Sequence, residues 1–202
     1  MTDIVYTYGG NVYLNITNRC PCRCTFCIRQ NGDGVGSAAT LWHHGDPTAE
    51  DVLAALKAFD FTPYGEVIFC GYGEPTCALE VLKAAAAYLR ATYPAIVIRL
   101  NTNGLGDLVN GRSIAAELSE CVDVVSISLN APTKEKYLAV TRPSFGEESF
   151  EAMLSFARAC KDTVKKVMLT VVDVIPAEDI AESQKLAEKL GIPLRVREYT
   201  AD

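Results

Sequence analysis

Short runs rich in Val and Ile alternate with longer segments of helical period along nearly the whole chain, and that alternation leaves few architectures open. Val12–Thr17, Val67–Cys70, Ile96–Thr102, Val124–Leu129, Val167–Val174 and Leu194–Tyr199 read as six strands. Between them, Leu79, Leu82, Ala86, Leu89 and Tyr93 recur at three and four residues, so they share one helix face that should cover a sheet. Further helices are predicted over about Thr48–Phe59, Ser113–Glu120, Phe150–Lys161 and Ala177–Leu190. Thr48 is a suitable N-cap, and Gly191 followed by Pro193 supplies a stop. The strand runs are almost continuously apolar, as expected when helices bury both faces of a parallel sheet. Ile4–Tyr6, with Gly9-Gly10-Asn11 after it, predicts an extra N-terminal edge strand in a hairpin. The expected fold is therefore α/β, in one domain spanning 1–202.

Just after the first of the six strands stand Cys20, Cys24 and Cys27, spaced Cys-xxx-Cys-xx-Cys. Three thiolates on a short loop can hold three corners of an iron–sulfur cube, since sulfur is the soft ligand such iron prefers, and the fourth iron is then open to a small chelating molecule. Cys22 adds a fourth thiol, so a closed zinc set of Cys20, Cys22, Cys24 and Cys27 is the competing reading. Four thiols within eight residues strain a tetrahedral site, which structural zinc usually builds from two separated pairs. Cys22 is accordingly expected to be a spare thiol pointing away from the cluster. The chain has eight cysteines in all. Three of them grouped at a ligand spacing fit a reducing compartment better than a disulfide framework.

Composition narrows the partners. A net charge of −6 argues against a broad electrostatic embrace of nucleic acid, and Lys161, Lys165 and Lys166 read as a solvated helix end. No run of eighteen apolar residues occurs, and Met1-Thr-Asp-Ile-Val lacks the features of a secretion signal, so a cytoplasmic protein with no membrane partner is expected. The glycine-rich segment Gln30–Pro47 is expected to be a mobile lid over the cysteines. His43 and His44 lie within it, as a substrate-facing acid or base or as a solvated pair.

In parallel α/β folds ligands gather after the carboxyl ends of strands, and here those ends are polar or glycine-rich. The second of the six strands leads into Gly71-Tyr-Gly-Glu-Pro-Thr76, the third ends in Leu100-Asn-Thr-Asn-Gly104, and the fourth in Ser128-Leu-Asn-Ala-Pro132. Together with Asn15-Ile-Thr-Asn-Arg-Cys20 and Cys24-Thr-Phe-Cys-Ile-Arg29, these segments resemble the radical S-adenosylmethionine (radical SAM) superfamily. Within it the text is most similar to the small proteins associated with the TatD family of hydrolases. The resemblance implies a partial (β/α)6 TIM barrel whose cofactors are a 4Fe–4S cluster on Cys20, Cys24 and Cys27 and S-adenosylmethionine (SAM).

By the same resemblance, SAM would be contacted by Phe26, by the backbone at Gly73 with Glu74 orienting that loop, and by Asn101, Thr102, Ser128, Asn130, Thr170 and Val172. An electron from a flavodoxin or ferredoxin would cleave SAM to methionine and a 5′-deoxyadenosyl radical, which takes hydrogen from substrate. Two substrate classes stay open: a peptide or protein entering the open side of the barrel, or a small molecule, as in carboxy-deazaguanine synthesis. A non-catalytic iron–sulfur module is the third reading, although it leaves the polar strand ends without a purpose. Arg197 and Tyr199 share a face and are candidates to meet substrate, with a salt bridge to a helix as the alternative for the arginine. Asp173 faces the other way and is expected to cap or to pair. Cys70 and Cys77, beside the glycine turn, are expected to be inert thiols.

Overall fold

The computed structural model describes residues 3–199, in which seven strands form one sheet. β1 (Val5–Tyr8) and β2 (Asn11–Leu14) are an antiparallel hairpin with Tyr8 opposite Asn11. Gly9 and Gly10 form its turn at φ +54° and +80°, a region that side chains with a Cβ resist. β3 (Glu66–Phe69), β4 (Val97–Thr102), β5 (Val124–Ser128), β6 (Lys166–Val172) and β7 (Leu194–Arg197) follow in sequence order, each parallel to its predecessor. The expected edge hairpin and the six-stranded parallel succession are both present.

The connections are helical. α1 (Ala49–Ala58) starts at Thr48, whose hydroxyl accepts from the Asp51 amide while the Asp51 carboxylate accepts from the Thr48 amide. α2 (Leu79–Thr92) turns Leu79, Leu82, Ala86 and Leu89 inward, the face that the sequence period marks. α3 (Gly106–Asn110) and α4 (Ala115–Cys121) lead to β5, α5 (Lys134–Thr141) and α6 (Ser149–Thr163) to β6, and α7 (Ala177–Leu190) to β7. α3 and α5 were not anticipated. They are five and eight residues long, too short to display an apolar period.

One expectation needs correcting. The helices do not bury both faces of the sheet. Leu14, Val67, Phe69, Ile98, Leu100, Val125, Ile127, Leu169 and Val171 belong to the main core, whereas the alternate residues Tyr13, Ile68, Arg99, Asn101, Ser128 and Val172 line an open cavity. The strands alternate after all, because a curved sheet needs an apolar outside under its helices and leaves the inside free for polar groups.

Candidate functional site

The site begins where β2 ends. Asn15 is fully buried and ties three segments together. Its Oδ1 accepts from the Tyr72 amide at 3.1 Å, and its Nδ2 donates to the Leu41 carbonyl at 2.7 Å. Gly71 is required by that packing, since a Cβ there would sit 2.1 Å from Asn15 Oδ1. The cysteine loop follows and is anchored to the end of α5 by bonds from the Arg23 amide to the Thr141 carbonyl (3.0 Å) and from the Thr25 amide to the Val140 carbonyl (2.9 Å). Cys20, Cys24 and Cys27 are partly buried on the wall of the cavity, whose volume is about 370 Å³.

Cys22 does not point away, as expected from sequence. It is buried, packs in the main core and also reaches the cavity, with its thiol within hydrogen-bonding range of Cys20 and Cys24. Donation from Cys22 holds the Cys20 and Cys24 thiols below the ordinary range against the opposing effect of burial. Cys22 itself is raised, first by serving those two thiols and then by burial. Burial also raises Cys27. Among the described residues no three His, Cys, Asp or Glu side chains converge on a position for a single metal ion. A cube makes a different demand, because each thiolate binds its own iron and the sulfurs need not meet at one point. Three partly buried thiols spread along one cavity wall, two of them held below the ordinary thiol range, fit that demand.

Beside the start of the cysteine loop lies the loop after β3, the Glu74 amide donating to the Arg19 carbonyl at 2.8 Å. Gly73 packs against backbone so closely that a Cβ would come within 2.2 Å of the Thr17 carbonyl oxygen. Glu74 follows and is almost fully buried. Its Oε1 accepts from the Thr76 amide (3.1 Å), the Thr76 hydroxyl (2.8 Å) and the Thr102 hydroxyl (2.8 Å), and its Oε2 accepts from the Asn103 amide (2.7 Å). Burial pushes the Glu74 carboxyl above its usual value, and those four donors pull the other way. Glu74 is therefore a bracket joining the loops after β3 and β4. Thr102 lines the cavity, the position expected of a ligand contact, while its hydroxyl donates to this bracket and accepts from the Gly104 amide.

Beyond the bracket, Asn103 reaches Cys20 Sγ with its Nδ2 at 3.8 Å. Sequence had favoured Asn101 and Thr102 over it, since Asn-Gly also reads as a turn. Asn101, Ser128, Asn130, Val172 and Phe26 all line the cavity. Asn130 does so from a left-handed conformation, φ +63°, just past the end of β5, so strand alternation is not what aims it. The Oδ1 atoms of Asn101 and Asn130 are buried without a hydrogen-bond partner. Orphaned acceptors in a cavity wall call for donors from a ligand, such as an ammonium or ribose hydroxyls, and so fit SAM. Thr170 departs from expectation. It is buried outside the cavity lining, its hydroxyl donating to the Ile127 carbonyl and its own carbonyl accepting from the Leu129 and Asn130 amides.

The 30–47 segment, expected to be mobile, is packed in place, and its Val35 and Leu41 line the cavity. Val35, Ala38 and Leu41 form a second small core with Tyr6 and Tyr72, and the Ser37 amide donates to the Thr7 carbonyl at 2.9 Å. Gly34 and Gly36 serve close backbone approach: Cβ atoms there would fall 2.1 and 2.2 Å from the carbonyls of Ala38 and Thr7. Trp42 packs edge-on to Tyr72 beneath Arg29. His43 is half-buried against Asn15, at 2.9 Å from Asn15 Nδ2, and lies outside the cavity lining. Asp173 caps as expected, accepting from the Tyr199 amide at 2.7 Å. Arg197 and Tyr199 both reach the cavity.

The model of the family described as the radical SAM superfamily matches residues 14–188. Among curated proteins, GTP 3′,8-cyclase 2 of Mycobacterium bovis and of Mycobacterium tuberculosis are 30% identical over 203 residues, covering 96% of this chain and 52% of theirs. The chain thus spans about half the length of those relatives. Among solved structures, native anSMEcpe with bound AdoMet has a TM-score of 0.69 at 22% identity, over 93% of this chain and 50% of that one. SuiB of Streptococcus suis bound to the precursor peptide SuiA has a TM-score of 0.67 at 16% identity, over 92% and 38%.

Proposed function

Because this chain belongs to the radical SAM superfamily, whose enzymes use a 4Fe–4S cluster and SAM, we propose that it cleaves SAM reductively and removes a hydrogen atom from a small-molecule substrate. The observation that carries the reading is one cavity with three thiols on one wall and the orphaned acceptors of Asn101 and Asn130 also lining it. When bound, the cluster supplies a low-potential electron and SAM a 5′-deoxyadenosyl group for hydrogen abstraction. Cys20, Cys24 and Cys27 would hold three irons, with Cys22 a core thiol that donates to the sulfurs of Cys20 and Cys24. Gly73 lines the cavity, where its carbonyl would accept from the ammonium of SAM, and Glu74 and Thr102 keep that turn in register with Asn103. Asn101, Ser128 and Asn130 would bind hydroxyl or charged groups of SAM, while Phe26 and Val172 supply apolar wall. Tyr6, Tyr8 and Tyr13 of the β1–β2 hairpin add aromatic wall to the cavity.

A small molecule is favoured over a peptide by the likeness to the cyclases among the curated relatives, which by their name act on a nucleotide. The motif text from Asn15 to Arg29 supports the finer placement with the small TatD-associated proteins. We further assign residues 1–202 to one core domain, reduced by a flavodoxin- or ferredoxin-type protein in the cytoplasm; among the described residues no helix is long and apolar enough to cross a membrane. The test is isotopic. Deuterium transferred from a labelled candidate molecule into 5′-deoxyadenosine identifies the substrate, and transfer only from labelled peptides would overturn the small-molecule reading.

A further inference from the structure

β7 carries two arginines that the proposed SAM chemistry does not use. Arg195 and Arg197 are two residues apart on one strand, so both lie on the cavity face of the sheet, beside Thr170 and Val172 of β6 in the parallel register. Arg197 is partly buried, and its Nε is shut off from solvent with no hydrogen-bond partner. Among the described residues neither guanidinium makes an ion pair or hydrogen bond.

The acids nearby are already committed elsewhere or stand apart. Glu66 pairs with Arg99 at 2.8 Å, Asp173 caps the Tyr199 amide, and Glu74 is saturated by four donors. Glu198 also lines the cavity, without an ion pair to either arginine. The ionisable groups facing Arg197 are the Cys70 thiol, the Tyr13 phenol and Arg195, none of them a carboxylate. Burial works against the charge on Arg197, and Arg195 adds repulsion. A guanidinium placed in such surroundings without a counter-ion is costly, and a pair of them at a cavity wall is a fork for an oxyanion.

Resting on the reading of this cavity as the SAM and substrate site, we propose that Arg197, flanked by Arg195, binds an oxyanion of the substrate, so that the substrate is a phosphate- or carboxylate-bearing small molecule. Tyr13 can add its hydroxyl to the same anion, since it faces Arg197 from β2. SAM also bears a carboxylate, so the two sources must be separated experimentally.

The test uses anaerobic, cluster-loaded protein and calorimetric titration with inorganic pyrophosphate, with acetate, and with SAM, each alone and then one after the other. Pyrophosphate or acetate should bind the wild type whether or not SAM is present. Arg197→Gln should weaken that binding at least tenfold and Arg197→Lys less, with SAM affinity held within twofold in both. Melting temperature and cluster absorbance, read on the same samples, separate lost binding from lost folding. Wild-type anion affinity in both Arg197→Gln and Arg195→Gln would overturn the proposal. A tenfold loss of SAM affinity in Arg197→Gln, with SAM competing against the anion, would assign the guanidinium to the SAM carboxylate and overturn it as well. Formation of 5′-deoxyadenosine by the wild type without substrate reports on the SAM reading separately, so the failure of one is distinguishable from the failure of the other.

Discussion

Replacing Glu74 by Ala tests whether this residue holds the site together or touches the cofactor. The carboxylate accepts four hydrogen bonds in a pocket closed to water, two of them from backbone amides, at Thr76 and Asn103. The hydroxyls of Thr76 and Thr102 can rotate toward other acceptors, but the two amides are fixed by the chain. Each hydrogen bond to a charged group is worth about 1.5–3 kcal/mol, so orphaning the two amides should cost about 3–6 kcal/mol. Against a total stability of about 5–15 kcal/mol for a domain, that is a large fraction. Urea denaturation under anaerobic conditions, followed by far-UV circular dichroism, should show the midpoint falling at an unchanged slope. Glu74→Gln should fall between the two, because its amide group can replace one acceptor face but presents a donor to the other. A loss under about 1 kcal/mol in Glu74→Ala, together with a sharp loss of SAM affinity, would mean that the carboxylate contacts SAM and that the bracket is misread.

Ala at Cys20, Cys24 or Cys27 should each abolish cluster iron after anaerobic reconstitution, whereas Cys22→Ala should keep it; iron and sulfide analysis reads the difference, and iron loss in Cys22→Ala would make Cys22 a ligand. Leu41→Ala, deleting a fully buried side chain from the smaller core, should cost about 2–5 kcal/mol in the same urea assay, an effect that a free lid would not show. Gly73→Ala should lower both reconstituted iron and SAM affinity, since its Cβ would push on the Thr17 and Arg19 carbonyls at the entry to the cysteine loop. Wild-type values for that variant would contradict the close approach.

The strands, the edge hairpin and the three-thiol loop are legible because each is written locally, in apolar runs, in a Gly-Gly turn, in a spacing, whereas the barrel order of the strands follows from the family resemblance. What sequence misjudged depended on distant partners. Thr102 does line the cavity, but that its hydroxyl also serves Glu74, 28 residues away, is not legible locally. Thr170 has the right parity but lies below the cavity, bonded to Ile127. The glycines of the 30–47 segment suggested mobility, whereas two of them allow it to press against neighbouring carbonyls, and Val35 and Leu41 were the overlooked signal of a core. Nothing local in Asn15-Ile-Thr-Asn reveals that the Asn15 amide joins three loops. Cys22 was dismissed by spacing alone, which says nothing of where a thiol points.

Anaerobic incubation of the reconstituted protein with SAM and dithionite, followed by chromatography, tests the central claim most directly. The account predicts 5′-deoxyadenosine and methionine in equal amounts from the wild type and none from Cys24→Ala. A wild type that binds a full cluster and SAM yet yields no 5′-deoxyadenosine, or a Cys24→Ala variant that yields as much as the wild type, would contradict it.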